Sequence, residues 1–322
     1  MATTLIQVRN PEPLQANLWR TAQVLGMVGT VVLLVGLVVR PELSLRLLWD
    51  VTIPLLPLVF LANPMVWRNV CPLATVGKLT GDRRGTNALP SEWTAAATAV
   101  GISLLFILVP ARRFLFNENG IALAVTIAVV AVLAGVLGLF FSAKAGFCNA
   151  ICPVLSVERL YGQRPLASIS NARCEPCTMC TKRGCIDLSP EKSVAQTVGP
   201  LRKTSRWLTT PFGAFAAAFP GFIYAYNTLD DGPLSSALSV YGHFLMWCAI
   251  SFAVVAAFTL IRRGHNERTV LFLGALSIGL YYWYAAPTII EGVALPAAVA
   301  VPFRALAFAL VLFWLWRALK TA

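Results

Sequence analysis

The chain has 322 residues, 57% of them hydrophobic and only 12% charged, with a mean hydropathy of +0.71. That balance, with the apolar residues gathered in long unbroken runs, excludes a soluble globular domain and points to a polytopic membrane protein in a lipid bilayer. The net charge of +12 does not indicate nucleic acid, because the basic residues lie in short connections between apolar runs and no nucleic-acid-binding fold accompanies them.

The opening stretch, MATTLIQVRNPEPLQANLWR, lacks a charged-then-apolar-then-small cleavage pattern, so the first apolar run is expected to stay as a span. Runs long enough to cross a hydrocarbon core of about 30 Å fall near Thr21–Val39, Leu45–Ala62, Trp93–Val109, Ile121–Phe141, Trp207–Tyr226, Ala237–Leu260, Val270–Ala286 and Val299–Leu319. The fold class is therefore all-α, with about eight transmembrane helices and both termini on one side. Asp50, Pro54 and Pro57 interrupt the second run, which a membrane helix tolerates where neighbours satisfy the carbonyls that proline frees.

Lysine and arginine sort the connections into two sets. One holds Arg9, Arg20, Arg68, Lys78, Arg83, Arg84, ten residues between Lys144 and Arg206, then Arg262, Arg263, Arg268, Arg317 and Lys320. The other holds Arg40, Arg46, Arg112 and Arg113 together with Asp230, Asp231 and Glu291, while Arg304 falls inside the last span. The excess marks the first set as cytoplasmic, so every cysteine except Cys248 is expected in or beside a reducing compartment that disfavours structural disulfides. Basic residues flanking the spans also meet anionic lipid headgroups.

Six of the eight cysteines lie between Cys148 and Cys185. Within that stretch Cys174-x2-Cys177-x2-Cys180, with Cys185 soon after, can wrap three or four thiols around one small inorganic body whose sulfurs the loop amides face. The leading expectation is an iron–sulfur cluster. Zinc also takes four thiolates, but its sites commonly set two Cys-x2-Cys knuckles about a dozen residues or more apart; inert thiols or a disulfide complete the alternatives.

The sequence also matches itself. NVCPLATVGKLTG at Asn69–Gly81 aligns with AICPVLSVERLYG at Ala150–Gly162, each after an even-numbered span, so the first half reads as a tandem two-helix duplication that sets two Cys-Pro elements side by side. Proline suits the first helical position and disfavours helical geometry before it, so Cys71 and Cys152 read as N-caps whose thiolates sit at the positive helix end, and Gly81 and Gly162 read as helix stops. The copies differ where the second has Cys148, one helical turn before Cys152, and the first has Trp67.

Cys148-x3-Cys152-Pro153, Cys71-Pro72 and the run Cys174, Cys177, Cys180, Cys185 together resemble the membrane polyferredoxins, the family that includes the quinol-dehydrogenase subunit of periplasmic nitrate reduction and the membrane electron donor associated with nitrous oxide reductase. The resemblance covers about Leu45 to Asp187. It departs at Trp67, in having a single ferredoxin-type run, and at Ile186 where that run ends in the family with proline. The resemblance implies a protein of the bacterial inner membrane with its cysteine-rich loops in the cytoplasm. It implies 4Fe–4S ligation by Cys71, Cys148, Cys152, Cys174, Cys177, Cys180 and Cys185, and electron transfer between a quinone pool or ferredoxin and a partner oxidoreductase subunit. Seven thiols leave a second site one cysteine short. Either the run shares clusters with the Cys-Pro thiols, or it holds one cluster alone beside a three-thiol site; the second site would be 3Fe–4S or carry a non-cysteine ligand.

On this reading residues 1–142 form the tandem repeat with the first Cys-Pro element, 143–205 the cytoplasmic iron–sulfur segment with its ferredoxin-like insert, and 206–322 a four-helix membrane region. Two other functions stay open: a maturation factor that reduces a metal or thiol while a metalloenzyme is assembled, and a transporter with a structural cluster. His243 has two readings, an interhelical hydrogen bond and a quinone contact; one histidine cannot supply bis-imidazole haem ligation. Tyr281–Tyr284 is expected to form an interfacial aromatic belt, and Asp50 and Arg304 to snorkel to the outer surface.

Overall fold

The computed structural model describes residues 13–84, 89–90, 92–141, 144–167, 193–194, 198–201, 205–261 and 265–321. Within them the chain is helical and no strand is formed. Helix α1 (Pro13–Val39) leads into α2 (Pro41–Arg46), which continues through a π-helical stretch (Leu47–Thr52) into α3 (Ile53–Ala62). Short helices α4 (Pro64–Val70) and α5 (Pro72–Arg84) follow, then α6 (Trp93–Leu108) and α7 (Gly120–Phe140). A π turn (Phe147–Ile151) precedes α8 (Leu155–Tyr161), and α9 (Pro211–Thr228), α10 (Ala237–Ile261), α11 (Asn266–Gly292) and α12 (Ala300–Thr321) complete the bundle.

Among the described residues, seven helical stretches are long and apolar enough to cross a membrane: Asn17–Val39, Pro41–Ala62, Trp93–Arg113, Gly120–Phe140, Leu234–Ile261, Asn266–Gly292 and Ala297–Lys320. Their outward side chains, such as Val24, Val28 and Val35 of α1 and Val125, Val129 and Val132 of α7, are exposed apolar groups that a bilayer would cover. The expected span near Trp207–Tyr226 forms as α9, but it is not among the seven. It lies buried against α10 and α11, and its alanines, glycines and Asn227 serve close packing where a lipid-facing helix would carry larger apolar groups. The backbone of α10 at Trp247 comes so close to Gly221 that a side-chain carbon there would lie 2.0 Å from the Trp247 carbonyl.

Proline interrupts the second span as anticipated, and the repairs come from far along the chain. The Tyr282 hydroxyl donates to Pro54 O (2.7 Å) and accepts from Leu58 N (3.2 Å), bridging the turn opened beside Pro57. At the end of α3 the chain breaks at Asn63, whose backbone is extended before Pro64 and whose side chain caps Met65 N at 2.7 Å. Carbonyls of Leu61 and Ala62, freed by the break, accept from Leu166 N (3.0 Å) and Ala167 N (2.9 Å), and Asn63 donates to Ala167 O (2.8 Å). Arg317 and Trp314 of α12 in turn hold the Arg164 carbonyl at 2.8 and 3.0 Å. The C-terminal helices thus clamp the loop that follows the second Cys-Pro element.

Several expectations are revised. Tyr281 and Tyr282 face inward and are buried, so they form no interfacial belt; Trp283 alone of that run is exposed. Asp50 stands level with the ends of neighbouring spans, its backbone against Gly292 and its charge near Arg46, Arg112, Asp231 and Glu291, so it need not snorkel. Arg304 donates to Trp283 O at 2.9 Å and stacks over that indole. Gly81 does not stop α5, which continues to Arg84, whereas Gly162 does end α8.

Candidate metal centre at the repeat seam

Each Cys-Pro element begins with a local backbone decision. Cys71 adopts φ −55° and ψ 126° between α4 and α5, and Cys152 repeats this with φ −59° and ψ 123°, because a residue before proline avoids helical geometry. The Cys71 carbonyl accepts from Thr75 N at 3.0 Å, and the Ala74 and Leu73 amides donate toward its sulfur. This is the N-cap arrangement expected for α5. The Cys152 carbonyl accepts from Leu155 N (3.1 Å), and the Val154 amide serves its sulfur.

Where the sequence sets these elements in loops beyond the even-numbered spans, the structure folds them back along the bundle. The Val70 carbonyl abuts Gly26, near the middle of the Asn17–Val39 span, and the Ile151 and Cys152 carbonyls abut Gly101, near the middle of Trp93–Arg113. Helix α5 runs beside the second half of α7, with Ala74 and Cys71 packed against Val130 and Ala134. For the first element the break at Asn63 ends α3 early, so α4 and α5, which flank Cys71, turn within the length of the spans.

This geometry gathers Cys71, Cys148 and Cys152 into one apolar cluster with Ala74, Ala134 and Phe147. All three are free thiols, close enough that each bears electrostatically on another. All three sit in apolar surroundings, with Arg68, Lys144 and Glu158 close to Cys148. A metal would therefore displace protons from these sulfurs on binding. Among the described residues no three His, Cys, Asp or Glu side chains stand close enough to share a single metal ion.

Binding the two copies together is Arg68. Its Nη1 meets Glu158 Oε2 at 2.6 Å and its Nη2 meets Asn149 Oδ1 at 2.5 Å, and both charged side chains are 3% exposed. Arg68 and Asn149 are equivalent positions in the two copies, 81 residues apart. The contact thus joins aligned positions of the two matching stretches directly. Gly162 at the end of α8 also abuts Pro64 at the start of α4, so the copies meet at two places.

Arg68, Glu158, Asn149 and Lys144 were not singled out by the sequence. Their signal was available: a charge flanking one Cys-Pro element and a carboxylate inside the other's helix. Of the remaining expected ligands, Cys174, Cys177, Cys180 and Cys185 lie outside the described residues. Cys248 is buried in the main core on α10, in a different cluster from the three thiols. His243 Nε2 lies 3.4 Å from Thr228 Oγ1, which fits the interhelical hydrogen bond.

Fold and site together define an all-helical membrane protein with a cluster of three thiols where the two matching Cys-Pro stretches meet. The chain matches no family model, no curated protein and no solved structure.

Proposed function

We propose that this protein is a membrane-bound iron–sulfur electron-transfer protein of the type its cysteine pattern resembles, working between a quinone pool or ferredoxin and a partner oxidoreductase in a bacterial inner membrane. The observation that carries the reading is the convergence of Cys71 with Cys148 and Cys152. A lone cysteine kept in a degenerate repeat would be unremarkable, but this one is delivered to the thiols of the other copy and capped by amides, with Glu158 and Arg68 beside it. Three soft thiol donors with amide hydrogens aimed at them fit a thiolate-bound cluster, which would supply one-electron chemistry. In this reading Cys71, Cys148 and Cys152 hold one cluster, and Cys174, Cys177, Cys180 and Cys185 hold or share another on the cytoplasmic side.

The chain's own part is to shield the site with Ala74, Ala134 and Phe147, to donate amide hydrogens to the sulfurs, and to keep the two copies in register through Arg68. Iron and acid-labile sulfide analysis with electron paramagnetic resonance on anaerobically purified protein tests the reading. Iron with sulfide, and its loss or conversion in Cys71→Ser with the spans still inserted, is the expected result. Colourless protein carrying stoichiometric zinc would overturn it.

A further inference from the structure

The buried ion pair at the seam is costly to assemble, since both partners leave water and only good geometry offsets the loss. Simple cohesion between the copies would be served as well by apolar packing, so the pair's position beside three thiols calls for a separate reason. We propose that Arg68 is a positioning residue for the redox centre, holding a fixed positive charge at the thiol cluster and thereby setting how readily that centre accepts an electron. The inference rests on the iron–sulfur reading of Cys71, Cys148 and Cys152.

Three observations carry it. Arg68 lies three residues before Cys71, and its charge is the leading one at Cys148, while Glu158 outweighs it at Cys71 and leads at Cys152, so the centre sits between the two charges of the pair. Its guanidinium is aimed by two groups of the opposite copy, Glu158 and Asn149, so the fork is held at both terminal nitrogens and not left to sample rotamers. The surroundings are apolar side chains, Ala74, Ala134 and Phe147, where a charge acts more strongly than it would in water. Reduction adds one electron and hence one negative charge to the centre, with no bond made or broken; a nearby cation favours the reduced form and the Glu158 carboxylate opposes it. Lysine would keep the charge but could not bind both partners in one plane.

The test is an anaerobic potentiometric titration followed by electron paramagnetic resonance, with dithionite as reductant, on detergent-purified wild type, Arg68→Gln, Glu158→Gln, the double variant and Arg68→Lys. Arg68→Gln should make reduction about tenfold less favourable, ~59 mV for a one-electron couple. Glu158→Gln should move it in the opposite direction, the double variant should return toward wild type, and Arg68→Lys should keep most of the potential while unfolding at lower temperature. Same-sign shifts in the two single variants, or shifts under threefold in both with iron content unchanged, overturn the proposal. If Arg68→Gln does not fold, Glu158→Gln decides alone: a raised potential supports the role, and an unmoved one ends it. Wild-type protein lacking iron and sulfide would instead defeat the iron–sulfur reading itself, so the two failures are distinguishable.

Discussion

The two copies of the repeat start alike and end differently. After Cys71-Pro72 the first copy runs on for nearly four turns along α7, whose Gly138 lets the helices approach so closely that a side-chain carbon there would lie 2.4 Å from Gly77 O. After Cys152-Pro153 the second copy stops at Tyr161, and Glu158 stands at the position equivalent to Gly77. One copy has become a packing surface against its neighbouring span, and the other carries the carboxylate that receives Arg68. The difference is consistent with charge balance, because one carboxylate suffices for one guanidinium at the seam.

Breaking the charged side of this comparison should have the largest effect. Arg68→Ala leaves the Glu158 carboxylate buried without its cation, and thermal unfolding in detergent should show a loss of about 3–5 kcal/mol. The reciprocal Glu158→Ala should cost a similar amount, and the double variant less than the sum of the two, since the partners are directly coupled. Additivity of the two losses would show that the pair does not work as a unit.

The packing side should respond less. Gly138→Ala brings a methyl group against Gly77 O and the Thr80 hydroxyl, so α5 must shift from α7 at a cost of about 1–3 kcal/mol. Because α5 begins at Cys71, the same variant should lower iron content in anaerobic preparations while leaving insertion intact; unchanged iron would separate the packing of α5 from the site. Tyr282→Phe removes the hydroxyl that bridges Pro54 O and Leu58 N, outside both copies, and is expected to cost about 1–3 kcal/mol with iron unaffected. The smallest effect is predicted for Cys248→Ala, about 1 kcal/mol of stability at most and wild-type iron, because this thiol lies in the main core apart from the seam.

Long apolar runs determined the helices, because a segment that leaves water must satisfy its backbone internally and span the apolar layer. Proline determined where the chain breaks at each cysteine, since that preference is local to two residues. Those two signals made Cys71, Cys148 and Cys152 legible as a group, and the duplication made it legible that the two Cys-Pro elements lie side by side. Tertiary structure alone decided the rest. That Arg68 meets Glu158, 90 residues away, follows from how the two copies cross, and no local pattern encodes the crossing. Tyr282 reads as a belt residue because tyrosine favours interfaces, yet a proline-opened turn 224 residues upstream gives its hydroxyl a better partner inside. The depth of Cys71 within the bundle likewise came from α3 ending early at Asn63, where Leu166 and Ala167 satisfy the freed carbonyls. Local chemistry sets what each segment can form; which distant group satisfies it is settled only when the segments pack.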